Sequence, residues 1–105
     1  MTIKELQGKI REFSMVHNLD SAPEYKILDT ISELGEVAKE MLKMTNYGKN
    51  RMNFREEMKL EIGDLLYSVI TIANSLNIDL ERTVDAVLVK YEKRLKRGSA
   101  GSEND

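Results

Sequence analysis

Apolar residues recur at spacings of three and four along most of the chain, the pattern of helices that bury one face. Four segments follow it: residues 2–16, 23 to about 46, about 54–75 and 79–96. No segment alternates apolar and polar residues with the period of a β-strand. The pattern predicts an all-α fold of four principal helices packed as a bundle. In the fourth helix, Val84, Leu88, Tyr91 and Leu95 are expected to face inward.

Three short polar motifs predict where helices begin. Residues 21–24 read Ser-Ala-Pro-Glu, which is typical of a capping box with proline in the first turn of the second helix. Asn53, with Glu56 three positions later, predicts the cap of the third helix, and Asp79 predicts the cap of the fourth.

The length of 105 residues indicates one small domain, and such a domain buries only about 60–70% of its unfolded surface. Apolar helix faces left uncovered are therefore expected to meet a second copy, so that oligomerisation completes the bundle. We assign residues 1–97 to the domain and residues 98–105, which are small and polar, to a disordered tail.

A net charge of -2 favours neither a nucleic acid nor a membrane as partner. The chain contains no cysteine, so disulfides and thiolate metal sites are excluded. It also lacks a signal-peptide apolar segment and any apolar run of about 18 residues. These features predict a soluble, cytoplasmic protein.

Two of the predicted helices carry the same acidic pattern at the border of their apolar stripes. Glu33-Leu-Gly-Glu36 and Glu61-Ile-Gly-Asp64 each hold acids three positions apart, which places both acids on one helix face. Two such borders brought together would put four carboxylates around one point. That cluster is unfavourable unless cations or protons neutralise it. The sequence therefore predicts a metal site.

Each acidic pair has a glycine, Gly35 or Gly63, two positions after its first acid. Glycine inside a helix costs about 1 kcal/mol relative to alanine. Two such costs at matching positions indicate that another backbone or a ligand approaches closely there. Other acids, including Glu24 and Glu40, are interpreted as solvated helix-surface residues.

All-oxygen ligands favour hard cations, Mg²⁺ with Mn²⁺ as the alternative. A di-iron carboxylate bundle would need Glu-x-x-His in two copies, and His17 is the only histidine. Mg²⁺ is commonly bound jointly by carboxylates and substrate phosphates. The implied ligand is a di- or triphosphate, most often a nucleotide.

The two acidic motifs, with Gly-Asp-Leu-Leu in the second, resemble those of the MazG-like nucleoside triphosphate pyrophosphohydrolases of the all-α NTP pyrophosphatase superfamily. The resemblance covers roughly residues 5–97. It implies Mg²⁺-dependent cleavage of a (d)NTP to a (d)NMP and pyrophosphate, in nucleotide-pool housekeeping, by a homodimer or homotetramer. Carried over by position, it implies the metal ligands Glu33, Glu36, Glu61 and Asp64.

Hydrolysis by such a site needs a carboxylate that orients a water or takes its proton. Glu33 and Glu36 are the catalytic candidates for this role, and the sequence does not choose between them. Lys90 and Arg94, near the end of the fourth helix, are candidates for binding the β- and γ-phosphates. The alternative is that both cations only stabilise the C-terminal end of the helix through its dipole.

His17 stands where many relatives have a tryptophan that stacks on the base, and Phe13 lies one turn earlier. Both are candidate substrate-binding residues, with a surface histidine and a core phenylalanine as the alternatives. Two other functions stay open: phosphoribosyl-ATP pyrophosphohydrolase, against which Gly63 counts, and a non-catalytic helical interaction module, against which the four intact acids count.

Overall fold

The computed structural model of the chain describes residues 1–98. Over these residues it contains four helices and no strand, so the all-α prediction is confirmed. The helices are α1 (Ile3–Val16), α2 (Pro23–Met44), α3 (Glu57–Ser75) and α4 (Leu80–Lys96). The predicted tail, apart from Gly98, lies outside the described residues.

Two helix starts follow from local side-chain capping. Thr2 and Glu5 form a reciprocal capping box on α1, in which each side chain accepts a hydrogen bond of 3.0 Å from the other's backbone N–H. These bonds lower the pKa of Glu5, with the backbone bond from Thr2 as the main cause. At α4 the Asp79 carboxylate accepts from the N–H of Arg82 at 3.2 Å, which confirms the predicted cap.

Two predicted caps are wrong. The N-cap of α2 is Ala22, one residue later than predicted, and its methyl side chain cannot accept a hydrogen bond. The Ser21 hydroxyl accepts a hydrogen bond from the Lys26 ammonium at 3.1 Å. Helix α3 begins later than Asn53 predicted. Its N-cap is Glu56, again without a side-chain cap.

Helices α2 and α3 form an antiparallel hairpin that is the main packing unit of the chain. Helix α1 packs on α3, and α4 packs on α1 but makes no comparable contact with α2. The apolar core consists of residues from the hairpin, Met44, Met58, Ile70 and Ala73. The hairpin therefore fixes the relative positions of the two acidic motifs.

A buried glutamine joins α1 to the turn between α3 and α4. The Gln7 amide donates to Asn74 Oδ1 at 3.1 Å and to the Ile78 carbonyl at 2.8 Å, while its oxygen accepts from the N–H of Leu80 at 2.9 Å. Asn74 returns a bond to the Gln7 carbonyl at 3.0 Å. Because buried polar groups are costly when unpaired, this network holds the helix ends in one arrangement.

Extensive apolar surface stays uncovered in the single chain. No residue of α4 is buried, and Leu88 is 58% exposed, so the inward orientation predicted for the apolar face of α4 is wrong for the isolated chain. Leu28, Ile31 and Leu34 on α2 are also exposed. Along residues 1–98, none of the helices combines the length and apolar character that crossing a membrane requires.

Candidate metal centre

Three of the four predicted carboxylates converge between α2 and α3. Glu33 of α2 and Glu61 and Asp64 of α3 each offer a carboxylate oxygen, and these oxygens all lie within 4.8 Å of one another. We call these three residues the acidic triplet. Glu33 and Glu61 are partly buried and Asp64 is exposed, so the triplet sits at the rim of the hairpin and is open to solvent.

Glu36, the fourth predicted ligand, is not part of the acidic triplet. It lies one helical turn after Glu33 on α2, and its side chain is exposed. Its charge nevertheless reaches the site, because among the neighbouring carboxylates it does most to raise the pKa of Glu61.

Partial desolvation is the largest cause of the raised pKa of Glu61, followed by the negative charges of Glu36, Asp64, Glu33 and Glu40. Both causes disfavour the ionised form of the carboxyl group. A divalent cation would oppose both, since it supplies compensating charge and replaces lost hydration with direct coordination. The donor set is also all oxygen and partly solvated, which fits Mg²⁺ or Mn²⁺.

The next acidic position along α2 is neutralised by the protein itself. Glu40 is only 5% exposed, so its interpretation as a solvated surface residue is wrong. It accepts a hydrogen bond from Arg55 Nε, and Lys43 Nζ lies 4.0 Å from its other oxygen. Arg55 also bonds Glu57 at 3.3 Å. Within residues 1–98, Glu40 and Glu57 are thus paired with cations of the protein, unlike the carboxylates of the acidic triplet.

The two helix glycines face open space. Apart from its own helix backbone and chain neighbours, a side-chain carbon added at Gly35 or Gly63 would meet no atom of residues 1–98 within 4 Å. No other backbone of the described chain therefore approaches them, and the close approach expected from the sequence is not made within one chain.

The two aromatic candidates from α1 meet a tyrosine of α3. Phe13 and His17 have ring centroids 4.5 Å apart, and Phe13 packs edge-on against Tyr67 at 6.4 Å. Tyr67 follows Asp64 by three residues, which is one helical turn. The aromatic group of Phe13, His17 and Tyr67 is thus anchored one turn from the acidic triplet.

The cationic candidates lie on a different helix from the acids. Lys90 Nζ and Arg94 Cζ are 5.4 and 5.8 Å from the ring centroid of Tyr91, in cation–π geometry on α4 itself. In the described residues α4 packs against α1, whereas the acidic triplet lies between α2 and α3, so the cations and the triplet belong to different helix pairs.

Sequence reasoning missed Tyr67 and Arg55. Tyr67 could have been found, because it follows Asp64 by three residues and so shares a helix face with it. Arg55 lies in the connection between α2 and α3, where no periodicity predicts a partner.

A known protein family matches most of the chain. The MazG nucleotide pyrophosphohydrolase domain matches residues 22–99, which include all four predicted carboxylates. The uncharacterized protein YpjD of Bacillus subtilis strain 168 is 32% identical over 99 residues, a match that covers 90% of this chain and 87% of YpjD.

Solved structures show the same fold. The crystal structure of B. subtilis YpjD has a TM-score of 0.74 and 30% identity, covering 90% of this chain and 96% of that one. The crystal structure of a Bacillus-conserved MazG protein, a nucleotide pyrophosphohydrolase, has a TM-score of 0.73 and 29% identity. The match covers 87% of this chain and 89% of that one. For iMazG from Vibrio DAT 722 the TM-score is 0.61 and the identity is 30%. This match covers 91% of this chain and 97% of that one.

Proposed function

This chain belongs to the MazG nucleotide pyrophosphohydrolase family, and from that premise we propose that it hydrolyses a (d)NTP to a (d)NMP and pyrophosphate with Mg²⁺. The observation that carries the proposal is the acidic triplet, whose oxygens lie within 4.8 Å of one another across α2 and α3. We assign this activity to nucleotide-pool housekeeping, as the resemblance to the family implies.

A bound divalent ion supplies charge neutralisation for the phosphates and lowers the pKa of a coordinated water. Glu33, Glu61 and Asp64 hold the ion in this account. Glu36, which is exposed and outside the acidic triplet, orients the attacking water and accepts its proton. Of the two catalytic candidates, Glu33 and Glu36, the proposal gives the proton-accepting role to Glu36, because Glu33 belongs to the acidic triplet.

The nucleoside contacts Phe13, His17 and Tyr67 in our proposal. Phe13 is 50% exposed, so its ring offers surface to a ligand even though it packs against two other rings. Base–aromatic stacking tolerates different bases, because every base has a π-face. This arrangement is compatible with activity on more than one base.

The proposal also includes a homodimer or homotetramer. Soluble monomers rarely expose large contiguous apolar patches, whereas Leu28, Ile31 and Leu34 on α2 and Leu88 on α4 are all exposed. The open space at Gly35 and Gly63 is compatible with close approach by a second chain.

Lys90 and Arg94 bind the β- and γ-phosphates in this assembly. Because α4 makes no substantial contact with α2 in its own chain, we propose that these cations act at the acidic triplet of a neighbouring copy. Both residue types bind phosphate oxygens, arginine as a fork and lysine as a point charge.

The test of the proposed function is incubation with a panel of (d)NTPs and Mg²⁺, followed by separation of the products. We expect a monophosphate and pyrophosphate in equal amounts, and loss of both with EDTA. A diphosphate plus orthophosphate would contradict the proposed bond cleavage. Turnover of phosphoribosyl-ATP alone would favour the histidine-pathway activity, and no product from any nucleotide would favour the interaction module.

A further inference from the structure

A cavity of about 260 Å³ lies between α1, the start of α2 and the last turns of α3, away from the acidic triplet. Two cationic side chains, Arg11 and Lys26, line it together with the carboxylate of Asp20. Ser14, Thr71 and Asn74 add hydroxyl and amide groups. We call it the basic cavity, because its lining carries a net charge of +1 in a chain whose net charge is -2.

Lys26 is the unusual residue of the basic cavity. Its side chain is only 9% exposed, and a buried ammonium is costly unless it is well paired. Its acidic partner Asp20 is 90% exposed and lies 3.4 Å away, while Ser21 accepts at 3.1 Å. An ammonium has three donors, and these two partners take two of them.

Arg11 adds a second cation from α1. One of its guanidinium nitrogens, Nη2, donates to Asn74 Oδ1 at 3.2 Å, and that amide is itself fixed by Gln7. This bond uses one of the five donors of the guanidinium group. The basic cavity therefore presents more hydrogen-bond donors than its own lining accepts.

The helix register separates the basic cavity from the metal centre. Lys26 precedes Glu33 by seven residues on α2, and Thr71 follows Asp64 by seven on α3. Seven helical residues span about 10.5 Å. Because α2 and α3 are antiparallel, both offsets lead toward the same end of the hairpin. The cationic and anionic sites are thus about two turns apart along α2 and α3.

From these observations we propose that the basic cavity binds a phosphate group, held by Lys26 and Arg11. Pockets for drug-sized ligands are about 300–1,000 Å³, so a cavity of this size suits a small anion better than a whole nucleotide. Lysine as a point charge and arginine as a fork are the usual pair for phosphate. The exposed Asp20 carboxylate is the group that the anion replaces beside Lys26.

The test is isothermal titration of the full chain with inorganic phosphate, in EDTA and low salt, so that neither divalent ions nor catalysis contribute. We expect saturable binding that Lys26→Met weakens by about tenfold or more, since hydrogen bonds to charged groups are the strong ones. Arg11→Gln, at an exposed position, provides a second variant in case Lys26→Met does not fold.

Lys9→Met is the matched control. It removes the same charge from α1 at an exposed position that lines neither this cavity nor the neighbouring cavity of about 170 Å³, which Arg11 also lines. Binding that survives both Lys26→Met and Arg11→Gln, or that Lys9→Met abolishes instead, would overturn the proposal. So would the absence of phosphate binding to the unmodified chain, and Lys26 would then be an anchor for the loop before α2.

The phosphate group could come from a free metabolite or from the nucleotide held at the metal centre. Repeating the titration with Mg²⁺ and a non-hydrolysable triphosphate distinguishes these sources. Undiminished phosphate binding identifies a separate ligand, and competition identifies a phosphate of the nucleotide. The titration with inorganic phosphate is independent of the proposed function, because it is measured without metal and without turnover.

Discussion

Glu33 on α2 and Glu61 on α3 face each other across the helical hairpin, with carboxylate oxygens no more than 4.8 Å apart. Nothing in the described chain neutralises this pair in the way that Arg55 neutralises Glu40. The same fold thus contains one acidic position paired with a protein cation and another at which like charges accumulate. We attribute the difference to function, because accumulated charge is what a divalent ion would stabilise.

The first prediction concerns how the charge of Glu61 lowers the free energy of unfolding of the metal-free protein. Its pKa is raised in the fold, mainly by desolvation and then by neighbouring charges, so the folded state binds this proton more tightly than the unfolded state does. The resulting stability is present below the ordinary glutamate pKa and is lost as pH rises through the raised value. Glu61→Gln should therefore stabilise the metal-free protein at neutral pH.

This is measured by urea unfolding in EDTA at neutral pH and near pH 4, where the difference between variant and parent should shrink. Asp29→Asn, at an exposed position of α2, is the control and should change little. A Glu61→Gln variant that is less stable than the parent at both pH values would contradict the electrostatic account.

The second prediction concerns Asp64. Asp64→Asn keeps the shape of the side chain but removes its charge, so metal binding should weaken while the helices remain. For one site, a ligand at 100 times its Kd stabilises a protein by about 2.7 kcal/mol. Mn²⁺ should stabilise the parent on this scale and the variant far less. Hydrolysis should fall by about 100-fold or more.

Metal-dependent unfolding and circular dichroism on the same samples check this result, again with Asp29→Asn as the control. Equal stabilisation of parent and Asp64→Asn by Mn²⁺ would mean that the ion binds elsewhere.

The third prediction concerns the aromatic group. Phe13→Ala should raise the KM for nucleoside triphosphates by about 5- to 150-fold, as expected for the loss of about 1–3 kcal/mol of stacking. Metal binding should not change. The chain offers a close control in Phe54→Ala, because Phe54 is 52% exposed but lies in the connection before α3. Equal effects of the two substitutions would remove Phe13 from the substrate site.

The fourth prediction concerns assembly. Leu88→Asp puts a charge on the exposed apolar face of α4 and should shift the protein toward monomers in sedimentation velocity. Thr83→Asp adds the same charge elsewhere on α4 and should leave the assembly intact. If α4 brings its cations to a neighbouring copy, activity should fall together with the oligomer. A monomeric parent protein of full activity would exclude this arrangement.

The fifth prediction concerns the Gln7 network. Gln7→Leu fits an apolar side chain into the same space but leaves the Leu80 N–H and the Ile78 carbonyl without their partner. We expect a loss of about 1–3 kcal/mol in the free energy of unfolding. Lys9→Leu, at an exposed position of the same helix, is the control. A neutral Gln7→Leu variant would show that water replaces the lost bonds.

The helices were predictable because amphipathic spacing is a local property, and the Asp79 cap was predictable for the same reason. The Ser21 cap was not, because α2 begins one residue later, with Ala22 as its N-cap, a register that the capping motif alone does not fix. The burial of Gln7 and Glu40 depends on partners from other elements, which the sequence pattern does not reveal.

The convergence of Glu33 with Glu61 and Asp64 was predictable because both motifs share one register on adjacent helices. The sequence could not show that Glu36 lies outside the acidic triplet, since that depends on the rotation of α2 against α3. The open space at Gly35 and Gly63 was likewise not predictable. The energetic cost of a glycine in a helix does not show whether its own chain, a second chain or a ligand approaches it.

Metal binding by the acidic triplet is tested most directly with a crystal of the protein grown with Mn²⁺ and a non-hydrolysable (d)NTP analogue, measured at the manganese absorption edge. We expect anomalous peaks within coordination distance of Glu33, Glu61 and Asp64, with the triphosphate on the same ions. Manganese absent from these three carboxylates, while the nucleotide is bound elsewhere, would contradict this expectation.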